Sequence, residues 1–155
     1  MGIFNQLVHN SIVIAPIIAW CTAQIAKTII HAIFSHEFVP ERIVGGGGMP
    51  SSHSATVCAL TTSTIILYGP GSFEFAMAFI FSMVTMYDAM GVRRETGRQG
   101  EVLNDVIAQF KKMGEEFGPE KALKELIGHS PLQVGVGALL GIAISLIVNR
   151  ALGVI

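Results

Sequence analysis

Three stretches of this chain contain no Asp, Glu, Lys or Arg: Met1 to Ala26, Ile43 to Phe73 and Leu126 to Asn149. A helix needs roughly 20 mostly apolar residues to cross a bilayer, so each run is long enough to matter. Backbone inside lipid must satisfy its own hydrogen bonds, which leaves helices as the natural form for such runs. Only 14% of the chain is charged, against about a quarter in an ordinary soluble domain. The expected fold is therefore all-α, a polytopic membrane helix bundle. Its 155 residues make one integral membrane domain, 1–155.

Four spans are expected. The first runs from Ile12 to Phe34, with Pro16 near its start. The second opens at Pro50, which suits a first helical turn, and reaches Tyr68. Gly69-Pro70-Gly71 forms a turn, Ser72 caps the third span, and that span continues to about Val92. The fourth begins at Ser130-Pro131, an N-cap followed by proline, and ends near Asn149. Between the third and fourth, Arg93 to Glu125 gathers most of the charged residues. Val102, Val106, Ile107 and Phe110 fall on one helical face there, continued by Met113 and Phe117. This spacing predicts an amphipathic helix at the membrane surface or against the bundle. Gly118-Pro119 ends it, and a second short helix follows over 119–127.

Alternation across four spans places residues 35–50 and 93–130 on one side. That side carries Arg42, Arg93, Arg94, Arg98, Lys111, Lys112, Lys121 and Lys124, whereas the other carries Arg150. The polar loops are therefore expected in the cytoplasm of a multi-pass cell-membrane protein. A formal net charge of -1 with no separate basic patch argues against nucleic acid as a partner. Cys21 and Cys58 sit in apolar runs without metal or disulfide spacing and read as packing residues. The N-terminus has no basic region or cleavage site of a removed signal.

The segment Gly45 to Ser54 (GGGGMPSSHS) carries the most chemistry. Glycines such as Gly48 let backbone approach a ligand closely. A helix start offers free N–H groups to an anion. Ser51 and Ser52 add hydroxyls, and His53 stands in the first turn. The plainer alternative is a hinge before a capped helix. Arg93 and Arg94 offer planar forks that match phosphate oxygens, or they are snorkelling residues at a span end. Asp88 lies just inside the same span, where an ionisable group is a functional candidate or an interfacial one. Lys27 stands two turns inside the first span, beside an anionic partner or snorkelling towards water, with His31 on the same face. His129 precedes the fourth span, at the same side of the membrane as His53 and the arginine pair.

PSSH at 50–53 resembles the Pro-Ser-Gly-His motif of the type 2 phosphatidic acid phosphatase (PAP2) superfamily, which includes the vanadium haloperoxidases. His129-Ser-Pro-Leu-Gln133-Val-Gly-Val-Gly137, followed by Gly141, resembles its third motif, HxxxDVxxGxxxG. GGMPSSHSA, DAMGVRRETGRQGEVLN from Asp88 to Asn104, and LKELIGHSPLQV together resemble the divergent branch of that superfamily over essentially the whole chain. The resemblance implies a metal-independent, acid-phosphatase-like enzyme without a cofactor, hydrolysing a lipid phosphate or pyrophosphate through a phosphohistidine. His129 would be the nucleophile and His53 the general acid. Arg93 or Arg94 would neutralise the transferring phosphoryl group, as would Lys27 and Arg42. Ser52 would offer a hydroxyl or N–H. Preorganised charge of this kind is often the largest catalytic contribution.

The chain departs from the pattern in three places. Gln133 stands where the superfamily has Asp; it accepts an imidazole N–H but carries no charge. The arginine pair lies far upstream of His129, and Lys27 and Arg42 are widely separated. A non-catalytic lipid-phosphate binder or carrier is thus the rival expectation, and a membrane scaffold the third. Four short spans also allow pairing into a homodimer.

Overall fold

The computed structural model describes residues 2–35, 48–113 and 128–155; the side chains of residues 92–94 lie outside that description. Six helices follow one another: α1 (Ile3–Val8), α2 (Ser11–Ser35), α3 (Ser52–Tyr68), α4 (Phe73–Met90), α5 (Val92–Lys112) and α6 (Pro131–Ala151). The described residues contain no strand. The glycines at 45–47, Arg42, Phe117 and the expected short helix at 119–127 lie outside the described residues.

Capping side chains set several of these boundaries. The Asn10 side chain accepts from the Ile12 N–H (3.0 Å), which starts α2, and α2 continues through the buried Pro16. Ser72 caps α4 by accepting from the Phe75 N–H (3.1 Å). Ser130 and Gln133 form a reciprocal capping box on α6, in which two otherwise orphan N–H groups are satisfied. One expected boundary moves. Pro50 lies before α3 rather than in its first turn, because Ser51 is the N-cap and accepts from the Ser54 N–H.

Three of the helices meet a span's length and apolarity outright. α2, α4 running on into α5, and α6 are long and apolar enough to cross a membrane. α3 has 17 residues, about 26 Å at 1.5 Å each, and is the most polar of the four expected. Its position explains why. It packs against α2, α4 and α6 at once, so it presents little surface to lipid. Its threonines return their hydroxyls to the preceding turn, as Thr56 does to the Ser52 carbonyl (2.7 Å) and Thr64 to the Leu60 carbonyl (2.7 Å).

The interior is small and the exterior large, the reverse of a soluble core. Ala15, Ala19, Ala23 and Lys27 are buried at four-residue intervals on α2, and Ala55, Ala59 and Ser63 repeat the interval on α3. Gly137, Gly141, Ser145 and Asn149 repeat it on α6. Ile25, Ile29, Phe81, Val84, Leu139 and Ile147 face outward. Lipid is as apolar as leucine, so helices in a bilayer gain by close backbone approach along small residues. The protein is a helical membrane bundle on this pattern.

At the end of the bundle near both chain termini, Ser63 and Ser145 share a hydrogen bond (2.8 Å). The Asn149 side-chain amide donates to Ser63 Oγ (3.0 Å) and to the Ser145 carbonyl (2.8 Å). Interhelical bonds of this kind contribute about 0.6–1.7 kcal/mol in membranes. Asn149→Ala is therefore expected to lower the unfolding midpoint in detergent by a loss of that size. Properties of the opposite end, where the candidate site lies, should be unaffected.

Candidate functional site

The site is built where the start of α3, the end of α4 and the start of α6 meet the last third of α2. Ser51 ties two of these together. Its backbone N–H donates to the Gln133 carbonyl (3.1 Å), and its hydroxyl caps α3. With no exposed surface, Ser51 holds the α3 start against α6. Ser52, next along, points the other way. It accepts a hydrogen bond from Lys27 Nζ (3.4 Å). Lys27 is 4% exposed, so it runs inside the bundle rather than snorkelling to the surface. Gly48 passes alongside it with φ +82°, and an added Cβ would touch the Lys27 stem at 3.9 Å. The positive φ is what requires glycine there.

His53 occupies the first turn of α3, and its ring lies 5.6 Å from that of His129, edge to face at 62°. His129 is 2% exposed. Its backbone N–H donates to the Ala89 carbonyl at the end of α4 (3.0 Å), which fixes the residue before α6 begins. Asp88 is half-buried beside Ala89.

The contacts of Gln133 determine which nitrogen of His129 carries the proton. Gln133 Oε1 accepts from the Ser130 N–H (3.0 Å) and lies 3.3 Å from His129 Nδ1. A backbone N–H can only donate, so the atom facing it is the amide oxygen rather than the nitrogen. That oxygen can only accept, so His129 Nδ1 is the donor. A neutral imidazole has one N–H, which leaves the lone pair on Nε2. Gln133 thus orients His129 and fixes its tautomer, as the carboxylate at this position in the resembled motif would, but without a negative charge.

Of the expected site residues, the structure brings together Lys27, Ser52, His53, His129 and Gln133, with Gly48 and Ser51 as their backbone supports. Arg93 and Arg94 fall in the first turn of α5, directly after α4, with their side chains outside the described residues. Arg42 lies wholly outside them. His31 Nδ1 lies 3.2 Å from Ser35 Oγ, one turn further along α2. The Ala89 carbonyl was not expected from sequence, since backbone acceptors leave no residue-type signal. Gly137 and Gly141 also prove more structural than their motif suggested. A Cβ on Gly137 would collide with the Ser51 carbonyl and Ser54 Oγ, and one on Gly141 with the Ala55 carbonyl. Their four-residue spacing, shared with the alanines of α2 and α3, was the readable sign.

No group of three or more His, Cys, Asp or Glu able to hold a metal occurs among the described residues.

Residues 8–144 match the divergent PAP2 family. The chain is also 37% identical over 151 residues to the uncharacterized membrane protein YuiD of Bacillus subtilis (strain 168), covering 92% of this chain and 96% of that one. No solved structure matches. With the family match running through every element of the site except the far end of α6, the chain belongs to the divergent PAP2 family of membrane proteins.

Proposed function

We propose that the protein is a membrane phosphatase that hydrolyses a lipid phosphate or pyrophosphate through a phosphohistidine. The observation that carries this reading is the facing pair His53 and His129, with the tautomer of His129 held by Gln133. The two rings, with centroids 5.6 Å apart and edge to face, bring the two imidazoles of the resembled motifs to one place in the bundle.

In this reading the lone pair of His129 Nε2 attacks phosphorus and forms a P–N bond. The bond from phosphorus to the lipid oxygen breaks, and protonated His53 gives its proton to that oxygen. Neutral His53 then takes a proton from water, whose oxygen attacks phosphorus and releases inorganic phosphate from His129. In this reading Lys27, hydrogen-bonded to Ser52, offsets charge on the phosphoryl oxygens, and Arg93 or Arg94 adds to it. The basic residues of the polar loops favour a cytoplasmic position for this end of the bundle. The reacting phosphate would then lie at headgroup depth.

The test is phosphate release by the protein in detergent from phosphatidic acid, phosphatidylglycerophosphate and prenyl pyrophosphates. The expected result is release that vanadate blocks and EDTA does not, with a phosphohistidine trapped by acid-free quench. Lipid-phosphate binding without turnover would instead favour a non-catalytic binder or carrier. Gln133 is the feature that supports that second reading, because a neutral amide does not stabilise an imidazolium by charge.

A further inference from the structure

The first turn of α5 follows α4 across a single residue, Gly91, and α5 then leaves the bundle. Among the described elements it packs only against α4. Its outward surface is nevertheless patterned. Val102, Val106 and Met113 share one stripe, with Leu103 and Ile107 on its shoulder. Val102 is 62% exposed, Leu103 51% and Val106 41%. An exposed apolar stripe of this length on a helix otherwise rich in charge calls for a partner.

We propose that this face of α5 lies on the anionic surface of the bilayer that α4 crosses, as an interfacial helix. Three observations select that partner. α4 presents Phe79, Phe81, Met83, Val84 and Tyr87 outward, so its end stands at the lipid–water boundary and delivers α5 there. α5 holds Arg93, Arg94, Arg98, Lys111 and Lys112 against Glu95, Glu101 and Asp105, a net charge of 5 − 3 = +2. At 3.6 residues per turn, Arg98 and Lys111 border the two edges of the apolar stripe, although Arg98 is also paired with Glu95 at 3.8 Å. Basic residues bordering an apolar face are the pattern of helices that lie in the headgroup region.

The placement bears on the candidate site. Arg93 and Arg94 are in the turn that α5 would anchor. Two residues before Gly91, Ala89 holds the His129 backbone. Docking of α5 would therefore set the end of α4 that positions His129. This consequence rests on the phosphatase reading; the docking itself does not.

The experiment places single nitroxide labels at Val102, Leu103, Val106, Glu101, Asp105 and Ala108. The host is the full chain with Cys21 and Cys58 replaced by Ala, in vesicles of phosphatidylcholine with or without phosphatidylglycerol. Labels at 102, 103 and 106 are expected to collide preferentially with oxygen. Those at 101, 105 and 108 should collide preferentially with a water-soluble nickel chelate, and the contrast should sharpen with phosphatidylglycerol. Two results overturn the proposal: both faces open to the chelate, or the apolar face shielded from both reagents, as contact with a second copy or with residues 114–127 would produce. Val106→Asp should abolish the oxygen preference at 102. If wild-type protein releases phosphate, this variant should form phosphohistidine and release phosphate more slowly than wild type in the same vesicles. A protein that docks α5 and releases no phosphate would refute the phosphatase reading alone.

Discussion

His129→Ala is expected to remove phosphate release, with a loss of at least about 10²–10⁴-fold, the range attached to a positioned proton-transfer or nucleophilic imidazole. His53→Ala should fall in the same range but differ in kind. With His129 intact, a substrate whose leaving group needs no proton, such as p-nitrophenyl phosphate, should recover much of the lost rate in His53→Ala and none in His129→Ala. In the proposed mechanism the two rings, 5.6 Å apart, act on one phosphorus, so the double variant should be no worse than His129→Ala. Multiplicative losses would mean that the residues work independently, and the paired mechanism would fail. Gln133 supplies a finer test of the same geometry. Gln133→Leu removes the acceptor that holds His129 Nδ1–H and breaks the α6 capping box. Gln133→Asp retains an acceptor and adds charge, so it should equal or exceed wild type where Gln133→Leu loses most activity. Gln133→Leu at wild-type rate would show that tautomer control by this residue is irrelevant.

Much of this site is legible in the sequence. His53, His129 and Lys27 are readable because polar groups in apolar runs are conspicuous, and the N-cap of α6 because Ser130-Pro131 is a helix start; the reciprocal bond from Gln133 that completes its capping box is seen only in the structure. The helical membrane class followed from the charge-free runs alone. The role of α3 was not legible. Its length and hydropathy read as those of an ordinary span, and only its contacts with α2, α4 and α6 show that it is the column the other helices enclose. The divided roles of Ser51 and Ser52 were also hidden. Adjacent serines at a helix start look equivalent in sequence, but one faces α6 and the other Lys27.

The packing yields the second large effect. In Gly141→Ala the new Cβ would meet the carbonyl oxygen of Ala55, with the Ala55 carbonyl carbon at 2.9 Å and its Cα at 3.0 Å. All three obstructing atoms are backbone, so no side-chain rotation relieves them and α6 must move away from α3. Overpacking of this sort costs about 1–3 kcal/mol, and Gly141→Leu should cost more. Ala55→Gly as a second change should not restore stability, because the carbonyl would remain. Gly135→Ala is the control on the same helix. Nothing lies within 4 Å of its added Cβ, so it should be neutral or stabilise by about 0.5–1 kcal/mol through helix propensity. The loss at Gly141 should extend to activity. The α3–α6 interface that it wedges apart also carries the Ser51–Gln133 bond and the facing histidines. Gly141→Ala is therefore expected to lower the unfolding midpoint and kcat together, whereas Asn149→Ala lowers the midpoint alone. Equal stability of Gly141→Ala and Gly135→Ala would show that α3 and α6 are not held at backbone contact.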